Sequence, residues 1–306
     1  MYYFIVNEHG GSGKAVSCWQ TVKQILDSKN IRYKSYIPEY AGQATEFARQ
    51  ISEQEDNDIR LVVVGGDGTV NEVLNGITSF ERIKFGLVPT GSGNDFSRGL
   101  NIPRHNPAKA LDMILNSPGD KAIDLGCVEA LSKRRFFGIS SGYGMDAIVG
   151  TSINTSKIKV VMNKLHLSKM SYGLLTVVTL FRMNTYRVKL SFDGEPLKEF
   201  SNMIFIATMN FPWEGGGVPM TPLAKGDDGQ LSVCVAYGIP KWRTFLLFPF
   251  LLLAKHADKK GFYIRNCKTL DIFSEDPTVC HTDGELLGSP TRIHYECLPE
   301  KLTVLV

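Results

Sequence analysis

The sequence predicts an α/β protein of two domains, a parallel α/β domain over residues 1–125 followed by an antiparallel β-sandwich over 126–299. Three observations lead there. At 306 residues the chain exceeds the usual size of a single hydrophobic core. Its first 125 residues alternate strand-like and helix-like patterns, which implies a parallel sheet with right-handed crossovers. From about residue 122 the rhythm changes to short strand-like runs separated by Gly, Pro and Asp turns, the pattern of a sandwich.

Taken in order, Tyr2 to Val6 reads as a buried strand, and Cys18, Val22, Ile25 and Leu26 then recur at helical spacing. Ile59 to Val64 is rich in apolar, β-branched residues and is bounded by Gly65-Gly66, as expected of a buried parallel strand. Val70, Val73, Leu74 and Ile77 form one face of the helix that follows. Phe85 to Val88 is a strand that Pro89 ends. Asn106-Pro107 starts another helix, with Leu111, Ile114 and Leu115 inward. Strand-like runs follow near 122–128, 135–140, 186–192, 202–209, 231–236, 268–273 and 291–297, with helix-prone stretches at 157–183 and 241–257. The last strand, within 300–306, can return to complete the first domain.

Composition excludes some functions. A net charge of +3 is too small for a nucleic-acid binder, which would carry a concentrated basic stripe. The six cysteines have no C-x-x-C spacing, which points to buried or free thiols in a reducing cytoplasm rather than a metal or disulfide framework. The chain opens on a strand, without the basic n-region of a signal peptide. The most apolar run, Phe245 to Ala254, is far shorter than the roughly 20 residues of a spanning helix.

The chemistry concentrates in three loops, each after a predicted strand. The first to note is Gly65-Gly66-Asp67-Gly68-Thr69-Val70-Asn71-Glu72, at a strand-to-helix turn. Its glycines let backbone approach a phosphate, and the helix N-terminus offers free N–H groups. A bare tight turn would need no carboxylate, so Asp67 points to magnesium, reached directly or through water. Asn7 to Lys14 also resembles a phosphate loop but misses the Walker A spacing, because Ala15 follows Lys14. Pro89-Thr90-Gly91-Ser92-Gly93-Asn94-Asp95 adds small residues, a hydroxyl and a second carboxylate. Loops at the carboxyl ends of successive parallel strands converge on one sheet edge, where such sheets bind ligands.

This combination resembles the diacylglycerol kinase catalytic family, above all its soluble bacterial lipid kinases, over essentially the whole chain. The G-G-D-G-T turn is shared with sphingosine and ceramide kinases and, more distantly, with NAD kinases and phosphofructokinases. Asn210, Gly215-Gly216-Gly217, Pro222 and Asp227-Asp228-Gly229 resemble a further family stretch, and His281-Thr282-Asp283-Gly284-Glu285 resembles its D-G-E motif. The resemblance implies an ATP- and magnesium-dependent kinase acting on a lipid hydroxyl, diacylglycerol by default. Asn7, Gly11, Ser12, Gly13, Gly65, Gly66, Asp67, Gly68, Thr69, Asn71, Glu72, Gly91, Ser92 and Asn94 would hold the nucleotide. Asp67 and Asp95 would position catalytic Mg2+, Lys14 would tie the acidic cluster together, and Glu285 would be the general base. Asp228, with the carbonyls of Lys225 and Gln230, would bind a structural magnesium. Two positions depart from the family pattern: Pro38 replaces a nucleotide-contacting threonine, and Glu8 replaces the proline usually found after Asn7.

A membrane lipid as acceptor implies a cytoplasmic protein in peripheral contact with an anionic bilayer. Two segments offer basic residues among apolar ones: 157–170, with Lys157, Lys159, Lys164 and Lys169, and 241–260, with Lys241, Arg243, Lys255, Lys259 and Lys260. An ordinary packed helix with a solvated charged face explains each segment as well. The competing functions are a soluble-metabolite kinase of the NAD kinase type and an inactive nucleotide-binding regulator. The sequence does not specify an oligomeric state, and a homodimer stays open.

Overall fold

The structure is a computed structural model that describes residues 1–9, 14–145, 147 and 184–306. Strands β1 (Tyr2–Val6), β2 (Tyr33–Tyr36), β3 (Ile59–Gly65) and β4 (Ile83–Pro89) are parallel and lie in the order β2-β1-β3-β4. Helices α1 (Lys14–Ser28), α2 (Gln43–Ser52) and α3 (Asp67–Leu74) connect them. The strand order reverses between β1 and β3, so the loops leaving those two strands open on one crevice. β1 and β3 are almost wholly buried, which is why their residues are apolar on both faces. α1 turns Ala15, Trp19, Val22 and Leu26 inward at helical spacing. After the short α4 (Asp95–Gly99), α5 (Pro107–Asn116) begins as its sequence predicts, with the Lys109 N–H donating to Asn106 Oδ1 at 3.0 Å and Pro107 in the first turn.

The C-terminal region is a mostly antiparallel sandwich. It comprises β5 (Lys121–Ala130), β6 (Lys133–Phe137), β7 (Ser140–Gly144), β8 (Tyr186–Phe192), β9 (Lys198–Met209), β10 (Trp213–Glu214), β11 (Val218–Pro219) and β12 (Leu231–Tyr237). Helix α6 (Lys241–Leu252) follows, then β13 (Phe262–Cys267), β14 (Thr269–Ser274), β15 (Cys280–Thr282), β16 (Glu285–Gly288) and β17 (Arg292–Val304). β9 passes between layers: its first half pairs with β8, its second with β7 and β12. β12 sends Leu231, Val233 and Val235 into the core between the layers, and Cys234 and Ala236 to an outer core under α6. The predicted run 135–140 is in fact two strands that break at Gly138, and the stretch 241–257 is helical only to Leu252. The stretch 157–183 lies outside the described residues.

β17 joins the two regions. It pairs antiparallel with β14 and β5, and its end runs parallel to β4, Thr303 opposite Lys84 and Val304 opposite Phe85. Leu302, Val304 and Leu305 enter the same core as β1, β3 and β4. All six cysteines are free, five of them buried. Among the described residues, no helix is long and apolar enough to cross a membrane.

Candidate active site

The loops after β3 and β4 touch backbone to backbone. A Cβ on Gly91 would lie 2.7 Å from the Gly66 Cα, and one on Gly66 would lie 3.0 Å from the Gly91 Cα. Only glycine permits that approach. The Thr90 N–H donates to the Gly65 carbonyl at 2.8 Å, and the Asn7 N–H donates to the Val64 carbonyl at 2.9 Å, which locks all three loops to one sheet edge. The Asn7 amide also donates to Thr69 Oγ1 at 2.9 Å. Ser92 is exposed at its loop tip, and Asn94 donates back to the Gly91 carbonyl at 2.7 Å. Gly11, Ser12 and Gly13 lie outside the described residues.

Asp67 opens α3 and reaches the start of α4. Its oxygens accept the Asp95 N–H at 3.1 Å and the Phe96 N–H at 3.2 Å. Burial pushes its pKa up to about 6, and the Asp283 carboxylate adds to the rise, against the Phe96 N–H and Arg98. Asp95 is 3% exposed, accepts the Gly216 N–H at 2.6 Å and is ion-paired with Arg98. The Arg98 guanidinium also sits against Gly217, so it clamps α4 to the turn between β10 and β11. A Cβ on Gly93 would stand 3.0 Å from Asp67 Oδ2 and 3.7 Å from Asp95 Oδ2. The two carboxylates therefore flank one glycine, a hard-oxygen pair suited to a divalent cation.

Lys14 is exposed, and among the described residues no ion pair joins it to Asp67 or Asp95. The cation inside the acidic cluster is Arg98, three residues beyond Asp95 on the same short helix. Glu72 faces elsewhere as well. Its carboxylate accepts the Gly42 N–H at 3.0 Å at the start of α2, and burial raises its pKa against that bond. Its carbonyl receives the Thr45 hydroxyl. Asn71 is fully buried and bridges regions, donating to Asp283 Oδ2 at 2.9 Å while accepting from Arg135 at 3.0 Å.

On the sandwich side, β15 and β16 are joined by Asp283-Gly284, both at positive φ (47° and 87°), the two-residue turn that the Asp-Gly pair favours. Asp283 accepts four hydrogen bonds, from Asn71 and the Gly138, Ile139 and Ser140 N–H groups, at 2.9 to 3.0 Å. Burial raises its pKa, and these donors work the other way. The anchored turn places exposed Glu285 so that its Oε1 lies 3.5 Å from where a Gly68 Cβ would be. Beneath the turn, His281 Nδ1 accepts the Gly284 N–H at 3.1 Å, and Nε2 stands 3.1 Å from Glu214 Oε1. The D-G-E turn and the β10–β11 hairpin are thereby linked.

The acidic turn at 225–230 is held by Asp124, buried in β5, which accepts the Gly229 N–H at 2.6 Å and the Glu300 N–H at 2.8 Å. Asp228 accepts the Gln230 N–H at 3.1 Å. Its pKa is raised by burial and by the Asp124 charge. Asp124 thus stands close enough for its charge to act on Asp228, and two carboxylates so placed are of the hard-oxygen type that suits a divalent cation. Arg98, Asp124 and Glu214 escaped the sequence reading of the site, and Asp283 and His281 enter it only as part of the D-G-E motif, without roles of their own. A lone acid between Ile123 and Leu125 in a predicted strand, and an arginine three residues after Asp95, were the available signals.

A doubly wound phosphate-loop domain joined to a sandwich that contributes a carboxylate defines a two-lobed kinase fold. The diacylglycerol kinase catalytic domain model matches residues 1–128, and the YegS C-terminal NAD kinase beta sandwich-like domain model matches residues 139–306. The chain belongs to this diacylglycerol kinase/YegS family of lipid kinases. It is similar to YtlR of Bacillus subtilis (strain 168), 27% identical over 95% of this chain and 96% of that protein. It is 31% identical to a diacylglycerol kinase of the same organism over 87% of this chain and 84% of the relative. A crystal structure from Bacillus anthracis str. Sterne superposes with a TM-score of 0.77 at 25% identity, over 99% of this chain and 96% of that one.

Proposed function

We propose that the protein transfers the terminal phosphoryl group of ATP to the hydroxyl of a membrane lipid, diacylglycerol first among them. One observation carries this reading: Asp67 and Asp95 flank Gly93 on the α/β side, and Glu285, from the sandwich side, stands over Gly68, the residue next to Asp67. Phosphoryl transfer asks mainly for alignment and charge neutralisation. The backbone N–H groups of the loops at 65–69 and 90–94 would hold the phosphates, with Asn7 and Thr69 fixing the loop from β1. Asp67 and Asp95 would hold a magnesium ion, and Asp228 with the Lys225 and Gln230 carbonyls a second, structural one. A magnesium ion held there would supply positive charge to offset that of the phosphates. Glu285 would take the proton of the acceptor hydroxyl, its position set by Asp283. Arg98 would keep Asp95 aimed.

Names and family point the same way: the 31% identical relative is a diacylglycerol kinase. The test is radiolabelled ATP and magnesium with a panel of lipids in mixed micelles, followed by chromatography. Label in phosphatidic acid is expected. With NAD added as a further acceptor, label in NADP and in no lipid would replace this reading with a soluble-metabolite kinase, and nucleotide binding without transfer to any acceptor would leave a regulator.

A further inference from the structure

Helix α6 is apolar on two opposite faces. Leu247 and Leu251, 7% and 8% exposed, pack inward on the outer core of β9 and β12. Trp242, Leu246, Phe250 and Leu253 point away, at 63%, 61%, 38% and 65% exposure. Their spacing of four, four and three residues puts them in a single stripe along the helix. A soluble surface rarely carries such a contiguous apolar stripe without a partner.

Charge identifies the partner. Between residues 241 and 260 the chain carries Lys241, Arg243, Lys255, Lys259 and Lys260 against a single acid, Asp258. The Lys259 ammonium sits 4.8 Å above the Phe250 ring, at the end of the stripe. Basic groups bordering an outward apolar stripe match the headgroup and acyl layers of an anionic bilayer. The stripe carries no acid, and the Trp242 indole N–H is the one polar group among its four side chains, a residue suited to the headgroup level of a bilayer.

Position links this face to the cleft. α6 packs on β11, β11 pairs with β10, and β10 packs on α4, which begins at Asp95. The turn between β10 and β11 supplies the Gly216 N–H to Asp95. The loop after α6 is fixed to the same hairpin, because buried His256 contacts the Met220 carbonyl through Nε2 at 2.9 Å.

We propose that α6 is the membrane-docking element: Trp242, Leu246, Phe250 and Leu253 enter the interface of an anionic bilayer while Arg243, Lys255, Lys259 and Lys260 meet its phosphates. The choice of a bilayer rests on the lipid-kinase reading. Docking there sets the membrane one hairpin away from the catalytic carboxylates.

The test compares the full chain with Leu246→Glu/Phe250→Glu and with Lys255→Glu/Lys260→Glu, by sedimentation with phosphatidylglycerol/phosphatidylcholine vesicles. The first variant is expected to lose at least about tenfold in partitioning at unchanged melting temperature. The second is expected to lose the salt-sensitive part of binding. Phosphorylation of long-chain diacylglycerol in vesicles falls with the first variant, whereas that of monomeric short-chain diacylglycerol does not. Vesicle binding equal to the parent's in the first variant overturns the proposal. So does a parent dimer that the first variant converts to monomer, since the stripe would then be a self-interface. Lost vesicle binding, with neither protein phosphorylating any lipid, upholds docking and rejects the kinase reading instead.

Discussion

On the α/β side of the cleft, Asp67 and Asp95 have oxygens fixed by backbone N–H groups from other segments, whereas on the sandwich side Glu285 is exposed and its neighbour Asp283 takes the hydrogen bonds. The difference follows the work proposed for each group. A carboxylate that holds a cation must not move, so its remaining lone pairs are committed to backbone. A carboxylate that accepts a proton needs room for substrate, so rigidity is delegated to the residue two positions earlier.

The contrast can be broken most directly at its two ends. Asp67→Ala is expected to lower kcat by about 10³-fold or more, and Glu285→Gln by about 10²- to 10⁴-fold, with circular dichroism showing both variants folded. Full turnover in either would remove the functional meaning of pinned and free carboxylates. Asp283→Ala leaves four donors without their acceptor and is expected to cost about 3 kcal/mol in denaturant unfolding. It should also lower turnover, although Asp283 is not placed to touch substrate.

Proton linkage sharpens the comparison further. Asp67 titrates at its ordinary value of 3.8 when unfolded and at about 6 when folded. The folded chain therefore binds more protons between those values. Its contribution is fully present below pH 3.8 and is lost as the pH rises through about 6, roughly 3 kcal/mol in all. Unfolding curves for the metal-free protein and Asp67→Asn between pH 4 and 7 should differ in slope in that window. The smallest expected effect is outside the cleft. Ala254 ends α6 at φ 57°, where the Lys255 N–H reaches the Phe250 carbonyl at 2.7 Å and the Ala254 N–H reaches Leu251 at 3.0 Å. Ala254→Gly relieves a left-handed alanine and should raise stability by about 0.5–1 kcal/mol in a thermal melt.

Much of this architecture was legible beforehand, for physical reasons. Buried parallel strands such as β3 need apolar residues on both faces, and phosphate loops need glycine, so both leave marks in composition. The edge strand β2, Tyr33–Tyr36, is partly exposed and left no periodic signal. β15 and β16, three and four residues long, were read only as a turn motif. In the site, the individual acids stood out through their motifs, but their partners did not. Arg98 and Asp283 matter through contacts 118 and 212 residues away in sequence, to Gly216 and Asn71, and no local pattern encodes such a pairing. Glu72 lies inside the motif, yet its carboxylate serves the start of α2.

β17 contributes to the core of the α/β region and to the inner core of the sandwich, laddered to β14 near its start, to β4 near its end and to β5 along both parts. Heat cannot melt one lobe and leave the other intact without tearing that shared strand down the middle. The two halves should therefore denature in a single calorimetric event, as one cooperative unit rather than as beads on a tether.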